Sequence, residues 1–255
     1  MPLVIERSSN MTKRPLRMLV YGDPGTGKTT FAASFPNPLF LMLGGREGGD
    51  QTLTKFNVDV VDIRDPKLLK EVFVELSRNN KWDTVVLDNL TFHAYQGIAS
   101  LTRADGVFTP DAAAAMDIQK WGKIASYFIN SLKPNLHKFN THVVYVALEK
   151  TFSRAKPGTL EQVPYKISPD ISPSSARDFI CGSVDIVGYM HRPKDIVNGK
   201  VVHNPKLYLK PELNGIELTV RETECNVVEM APSFDNLMQH LSWVDKYPIT
   251  KQKRD

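Results

Sequence analysis

The segment Gly22-Asp23-Pro24-Gly25-Thr26-Gly27-Lys28-Thr29 sets three glycines, a lysine and a hydroxyl at the spacing GxxxxGK[ST]. Each residue type has a task in holding a polyphosphate. Glycines let backbone N–H groups curl around phosphate oxygens, and the N-terminus of a following helix adds a favourable dipole. Lys28 brings a point charge to the β and γ phosphates, Thr29 offers a hydroxyl to Mg²⁺, and Thr30 completes the cofactor-binding set. A chance glycine-rich turn would lack the context found here: an apolar run, Arg17 to Tyr21, leads in, and a helix is expected from Gly27 or Lys28. The segment therefore reads as a P-loop for ATP and Mg²⁺, and no NKxD-type guanine-reading motif accompanies it.

Three carboxylates are candidates to complete the chemistry. Asp88 closes the apolar run WDTVVLD, at the strand end where α/β sheets bind ligands. A carboxylate there holds Mg²⁺ through its water shell, beside Thr29. Hydrolysis also needs a group to orient or deprotonate water. Glu47, in LGGREGGD after the second strand, and Glu149, after THVVYVAL, are both open to that role, the alternative for each being a loop carboxylate facing water.

The elements that must position these residues alternate. PLFLML (Pro38 to Leu43), VDVVDI (Val58 to Ile63), DTVVLD (Asp83 to Asp88) and THVVYVAL (Thr141 to Leu148) read as buried strands. Pro66 to Arg78 has helical spacing, and in a later amphipathic stretch Trp121, Ile124, Phe128, Leu132 and Leu136 share one face. Such alternation implies an α/β fold with a mostly parallel sheet flanked by helices. Thr151 to Pro173, with four prolines and little periodicity, reads as a long loop and hence a site candidate. A strand from Val184 to Met190 follows, then an antiparallel section: a hairpin turning at Asn198-Gly199, the runs Leu207 to Leu209 and Ile216 to Val220, and a final helix from Phe234 to Val244.

Composition narrows the class without choosing within it. At 255 residues, 42% hydrophobic and 24% charged, the chain is an ordinary globular protein. Cys181 and Cys225 form no CxxC or Cys/His cluster, and the six histidines have no metal-ligand spacing. No apolar run approaches a membrane span and the N-terminus lacks a secretory core, so the expected location is the cytoplasm, with no membrane partner. A net charge of +4 permits a polyanionic partner without requiring one.

The order of parts resembles the RecA-like ATPases, and more closely the phage nucleotide-binding proteins of the single-strand annealing and recombination type. The likeness is carried by YGDPGTGKTTFAASFPNPLFL, WDTVVLDNLT, the WGKI helix, THVVYVALEK and ISPSSARDFICGSVDIVGYMHR, across most of residues 16 to 192. It implies an ATP-dependent protein that forms homo-oligomers on single-stranded DNA and promotes annealing or strand exchange. Glu47 then matches the family's water-activating glutamate, Glu149 lies near its γ-phosphate-sensing position, and Arg221 lies near the basic element that reaches a neighbouring subunit's nucleotide. The family's two DNA-binding loops correspond to Leu101 to Ala115 and Thr151 to Pro173. Within them Arg103, Arg154, Lys156 and Lys166 would meet phosphates, while Phe108, Phe152 and Tyr165 would stack on bases.

The expected organisation is an N-terminal arm (1–15), a RecA-like ATPase core (16–192), an antiparallel extension with a final helix (193–245) and a basic tail (246–255). Two further functions fit the phosphate site. One is a nucleotide-switched assembly factor, helicase-loader-like, whose partner is a single-strand-binding or other replication protein; the other, a small-molecule kinase, lacks a lid-like arginine cluster.

Overall fold

The computed structural model describes residues 13–43, 49–65, 68–102, 116–197, 200–221 and 227–249. The first strand, β1 (Arg17–Gly22), runs into the phosphate loop and α1 (Lys28–Ala33). Then come β2 (Pro38–Leu43), α2 (Gly49–Leu53), β3 (Asp59–Ile63), α3 (Leu68–Arg78), β4 (Thr84–Asp88) and α4 (Leu90–Thr102). Strands β3, β2, β4, β5 (His142–Ala155), β1 and β7 (Ile186–His191) lie side by side in that order, every neighbouring pair parallel. Strand β5 is thus inserted between the phosphate-loop strand and the strand that ends in Asp88.

Burial on both faces explains why these strands read as continuous apolar runs rather than alternating ones. Leu19, Tyr21, Val85, Leu87, Val143 and Tyr145 point into one core, closed by α3, α4 and a helical stretch before β5. Met18, Val20, Val86, Val144 and Val146 point into the other, under Phe31 of α1 and Phe234 and Leu237 near the C-terminus. The stretch before β5 is α5 (Ile118–Tyr127), one wider turn at Phe128–Leu132 and α6 (Lys133–His137). Ile124, Phe128, Leu132 and Leu136 are buried along it as the periodicity predicts, while Trp121 packs at the margin.

The structure corrects the sequence reading at three places. Thr151 to Pro173 is not a long loop. Strand β5 continues outward to Ala155 and β6 (Gln162–Pro169) returns antiparallel to it, so the two form a projecting ribbon. Its prolines fall where pairing tolerates them: Pro164 at the register shift after Phe152, and Pro157 in the turn. The turn closes through Lys156 N–H donating to the Glu161 carbonyl at 2.9 Å, with Gly158 at φ 75°. Next, α7 (Ser174–Ser183) fills the gap before β7, a helix the sequence reading passed over. Last, the helix expected from Phe234 to Val244 is only α8 (Phe234–Met238), capped by the Ser233 hydroxyl and followed by turns.

The antiparallel section joins the central sheet on both sides. Strand β10 (Lys206–Tyr208) pairs with β7, and β13 (Glu229–Met230) with β10. On the ribbon side β12 (Ile216–Leu218) lies parallel to β6 and antiparallel to β11 (Glu212–Leu213). Strands β8 (Lys194–Val197) and β9 (Lys200–His203) form the expected hairpin, whose turn residues Asn198 and Gly199 lie outside the described residues. Among the described residues no helix is long and apolar enough to cross a membrane.

Candidate nucleotide-binding site

The phosphate loop leaves β1 at the C-terminal edge of the sheet. Gly22 sits opposite Met190 of β7, so close that a Cβ on it would lie 2.2 Å from the Met190 carbonyl oxygen. Gly25 and Gly27 take φ of 78° and 93°, a backbone region glycine enters freely. Gly27 then caps α1 without a side chain, leaving the first amides of the helix directed at the loop. Asp23, Pro24, Gly25 and Thr30 are exposed around the rim, while Thr26 and Lys28 are buried.

Lys28 is fixed inside the curl. Its ammonium donates to the Gly22 carbonyl at 2.8 Å and the Asp23 carbonyl at 2.6 Å, and lies 3.4 Å from the Thr26 hydroxyl. Burial lowers its pKa to about 8, against the pull of the Asp88, Glu149 and Asp23 carboxylates. The Thr29 hydroxyl donates to Asp88 Oδ2 at 2.7 Å, which joins the start of α1 to the end of β4. Burial holds the Asp88 carboxyl above the ordinary range, opposed by the Thr29 hydrogen bond and by Lys28.

The turn after Asp88 is tied down on both sides. Asn89 Oδ1 accepts from the Thr91 and Phe92 amides at 2.8 and 3.2 Å and so caps α4, and the Asp88–Asn89 peptide is cis. The Thr91 hydroxyl accepts from the Leu148 amide at 2.9 Å, locking this turn to β5 one residue before Glu149. Glu149 is half-buried; burial and the Asp23 carboxylate raise its pKa, while hydrogen bonding from Tyr189 and the charge on Lys28 oppose the rise.

Thr29, Asp88, Lys28 and Glu149 therefore converge, which for Glu149 the sequence reading had left open. Glu47, the other candidate for activating water, lies outside the described residues, as do Arg103 and Phe108. Phe152, Arg154, Lys156, Tyr165 and Lys166 lie together on the β5–β6 ribbon. The Arg154 guanidinium stands 5.5 Å over the Tyr165 ring and the Lys150 ammonium 5.8 Å over Phe152, whereas Lys166 and Lys156 face Glu217 and Glu161 at 2.5 and 3.6 Å. Arg221 is exposed, bridged to Val187 and donating to the Gly182 carbonyl, three register positions down β7 from the phosphate loop.

Sequence reasoning missed Asn89, Thr91, Tyr189 and Arg192. Arg192 follows β7 directly and donates to the Gly25 carbonyl at 3.3 Å. A usable signal existed for Arg192, since it ends a buried strand at the edge where parallel sheets bind ligands. None existed for Thr91, whose role depends on β5 lying beside β4.

These groups predict a two-sided pH profile. As pH rises through about 8, Lys28 in the free protein gives up the proton that a phosphate needs, and kcat/KM for nucleotide hydrolysis falls. On the acid side kcat/KM falls as Asp88 and Glu149 take up protons, at a pH above that of ordinary carboxylates. A pH series of kcat/KM checks both limbs. An alkaline limb that waits for the ordinary lysine range contradicts the assignment of Lys28.

The strand–loop–helix cradle, set in a parallel sheet with a hydroxyl–carboxylate pair at its rim, defines the class: a P-loop nucleoside triphosphatase. The family model AAA_24, an AAA domain, matches residues 14–222, from just before β1 past the end of β12. The chain belongs to that family and is thereby a nucleotide-binding ATPase. No curated protein matches the sequence.

Proposed function

We propose that the chain is a Mg²⁺-dependent, DNA-stimulated ATPase of the RecA-like kind that assembles as a homo-oligomer on single-stranded DNA and serves phage-type recombination by annealing or strand exchange. The observation that carries this reading is the continuity of β5. Its inner half lies between β1 and β4 and brings Glu149 to Lys28, and its outer half becomes the ribbon bearing Lys150, Phe152 and Arg154. A basic and aromatic ribbon suits single strands, since cations meet the phosphates and rings stack on bases.

The residues divide the chemistry among them. Lys28 and the loop amides hold the phosphates, and Glu149 is placed to orient or accept a proton from water. Thr29 and Asp88, two hard oxygen donors 2.7 Å apart at the rim, fit Mg²⁺, which takes one carboxylate, a hydroxyl and substrate phosphates. When bound, it supplies charge neutralisation to the transferring phosphoryl group. Arg221 would act on a neighbouring subunit's nucleotide.

ATPase activity is expected to rise on adding single-stranded DNA, and binding to weaken linearly in log–log fashion with salt. Replacing both Lys150 and Arg154 with Ala should reduce that slope by about 1.4, at roughly 0.7 per lost phosphate contact. Absence of both stimulation and salt-sensitive binding rejects the DNA reading.

A second reading, a nucleotide-switched assembly factor, is favoured by a different observation. Lys156 and Lys166 already face carboxylates, which leaves less free positive charge on the ribbon for a polyanion. ATP-dependent co-purification with a replication protein, together with no DNA binding, would select it.

A further inference from the structure

The chemistry of the site gathers on one flank of the phosphate loop. Asp88 and Glu149 stand on β4 and β5, on the side of β1 away from β7. The terminal phosphate belongs beside them, so the rest of a bound nucleotide leads toward the opposite flank, the end of β7. What stands there is Arg192. Its guanidinium donates to the Gly25 carbonyl at 3.3 Å and to the His203 carbonyl at 3.5 Å, the latter at the end of the β8–β9 hairpin. Among the described residues it pairs with no carboxylate, although it is a full cation at the edge of a phosphate loop.

Pro205 stands on the same flank. Its Cγ and Cβ lie 3.6 and 3.7 Å from where a Cβ on Gly27 would be, so the segment leaving the hairpin rests directly on the loop. An exposed planar cation and a half-buried rigid apolar ring, each against the phosphate loop, make a surface of a recognisable type. A guanidinium stacks on aromatic faces and donates in its own plane, and proline offers a flat apolar wall. The guanidinium would suit a phosphate as well, but the proline ring would not, and together they suit a ribose and a nucleobase.

We propose that Arg192 and Pro205 form the wall that receives the nucleoside end of the bound nucleotide, with Arg192 exchanging its long contacts to the Gly25 and His203 carbonyls for contacts to the ligand. The segments that enter and leave the β8–β9 hairpin thereby distinguish a nucleoside triphosphate from bare triphosphate. The inference rests on nucleotide binding at the phosphate loop, and on nothing assigned to the ribbon.

Calorimetric titration of the full chain with a non-hydrolysable ATP analogue and, separately, with inorganic tripolyphosphate tests it. The wild type should bind both, and Lys28→Ala should bind neither. Arg192→Ala should weaken the analogue about tenfold, as expected for the loss of a charged hydrogen bond or stack, and leave tripolyphosphate within about twofold. Arg192→Gln, a shorter side chain that keeps a planar group with two N–H donors, should fall between. Arg192 is exposed and its loss opens no core, so both variants should unfold at the wild-type midpoint, which is measured alongside. Equal weakening of both ligands, or none, overturns the proposal. If the wild type binds neither ligand, the phosphate-loop reading itself fails and the wall falls with it.

Discussion

Lys28→Ala is expected to lower kcat/KM for ATP by roughly 10²-fold or more, the scale on which a preorganised charge acts on a developing one. The ammonium is held at 2.6 to 2.8 Å from two loop carbonyls, so it already sits inside the curl where a phosphate arrives. The same variant should not lose stability in proportion. Burial depresses the Lys28 pKa from 10.5 to about 8, which means folding disfavours its charge. Below about 8 the penalty is present in full, and between about 8 and 10.5 the unfolded chain binds more protons, so this group's contribution to stability improves as pH rises. Alanine removes both the charge and that dependence. Steady-state kinetics beside urea midpoints at pH 7 and pH 9 measure the two effects, and a large stability loss with intact turnover would contradict the site.

Gly22→Ala should do the reverse and damage the fold as well as the site. The added methyl would stand 2.2 Å from the Met190 carbonyl oxygen, a backbone atom in a buried parallel strand that cannot swing aside. Overpacking of this kind costs about 1–3 kcal/mol. Because β1 and β7 must part at the residue where the loop begins, the loop geometry shifts with them. Gly25→Ala makes the comparison, since nothing lies within 4 Å of its Cβ position and the cost is confined to its φ of 78°. That cost is about 1–2 kcal/mol. A lower urea midpoint for Gly22→Ala than for Gly25→Ala, with loss of nucleotide binding, is the expected result, and equal midpoints would remove the role given to the β1–β7 contact.

How much of this could be read in the sequence depended on whether a residue acts through its neighbours in the chain or through strand order. The phosphate loop is local, so Gly22 to Thr29 and the helix after them were legible from spacing. Asp88 was legible because it ends an apolar run at the edge where such sheets bind ligands. The partnership of Glu149 with Lys28 and Tyr189 depends on β5 and β7 flanking β1, and no spacing encodes that. Helix α7 was passed over because SSARDFICGS opens with serines and carries only two fully buried residues, Ala176 and Ile180. The ribbon was read as a loop because of its four prolines and because the short alternation of Val163, Tyr165 and Ile167 went unread, and proline at an irregular register is compatible with a strand.

The ribbon also has a mechanical consequence. From Glu149 to Ala155 the strand advances about 20 Å, at about 3.3 Å per residue. Glu149 is clamped at its base, with the Thr91 hydroxyl on the Leu148 amide and the Asp170 amide on the Leu148 carbonyl at 2.9 and 2.8 Å. A tilt of about three degrees at that fulcrum sweeps the far end through about 1 Å, by the same rise per residue. Strand β5 thus joins the carboxylate beside the phosphate loop to a ribbon tip in solvent, so a small rotation at one end is a large displacement at the other.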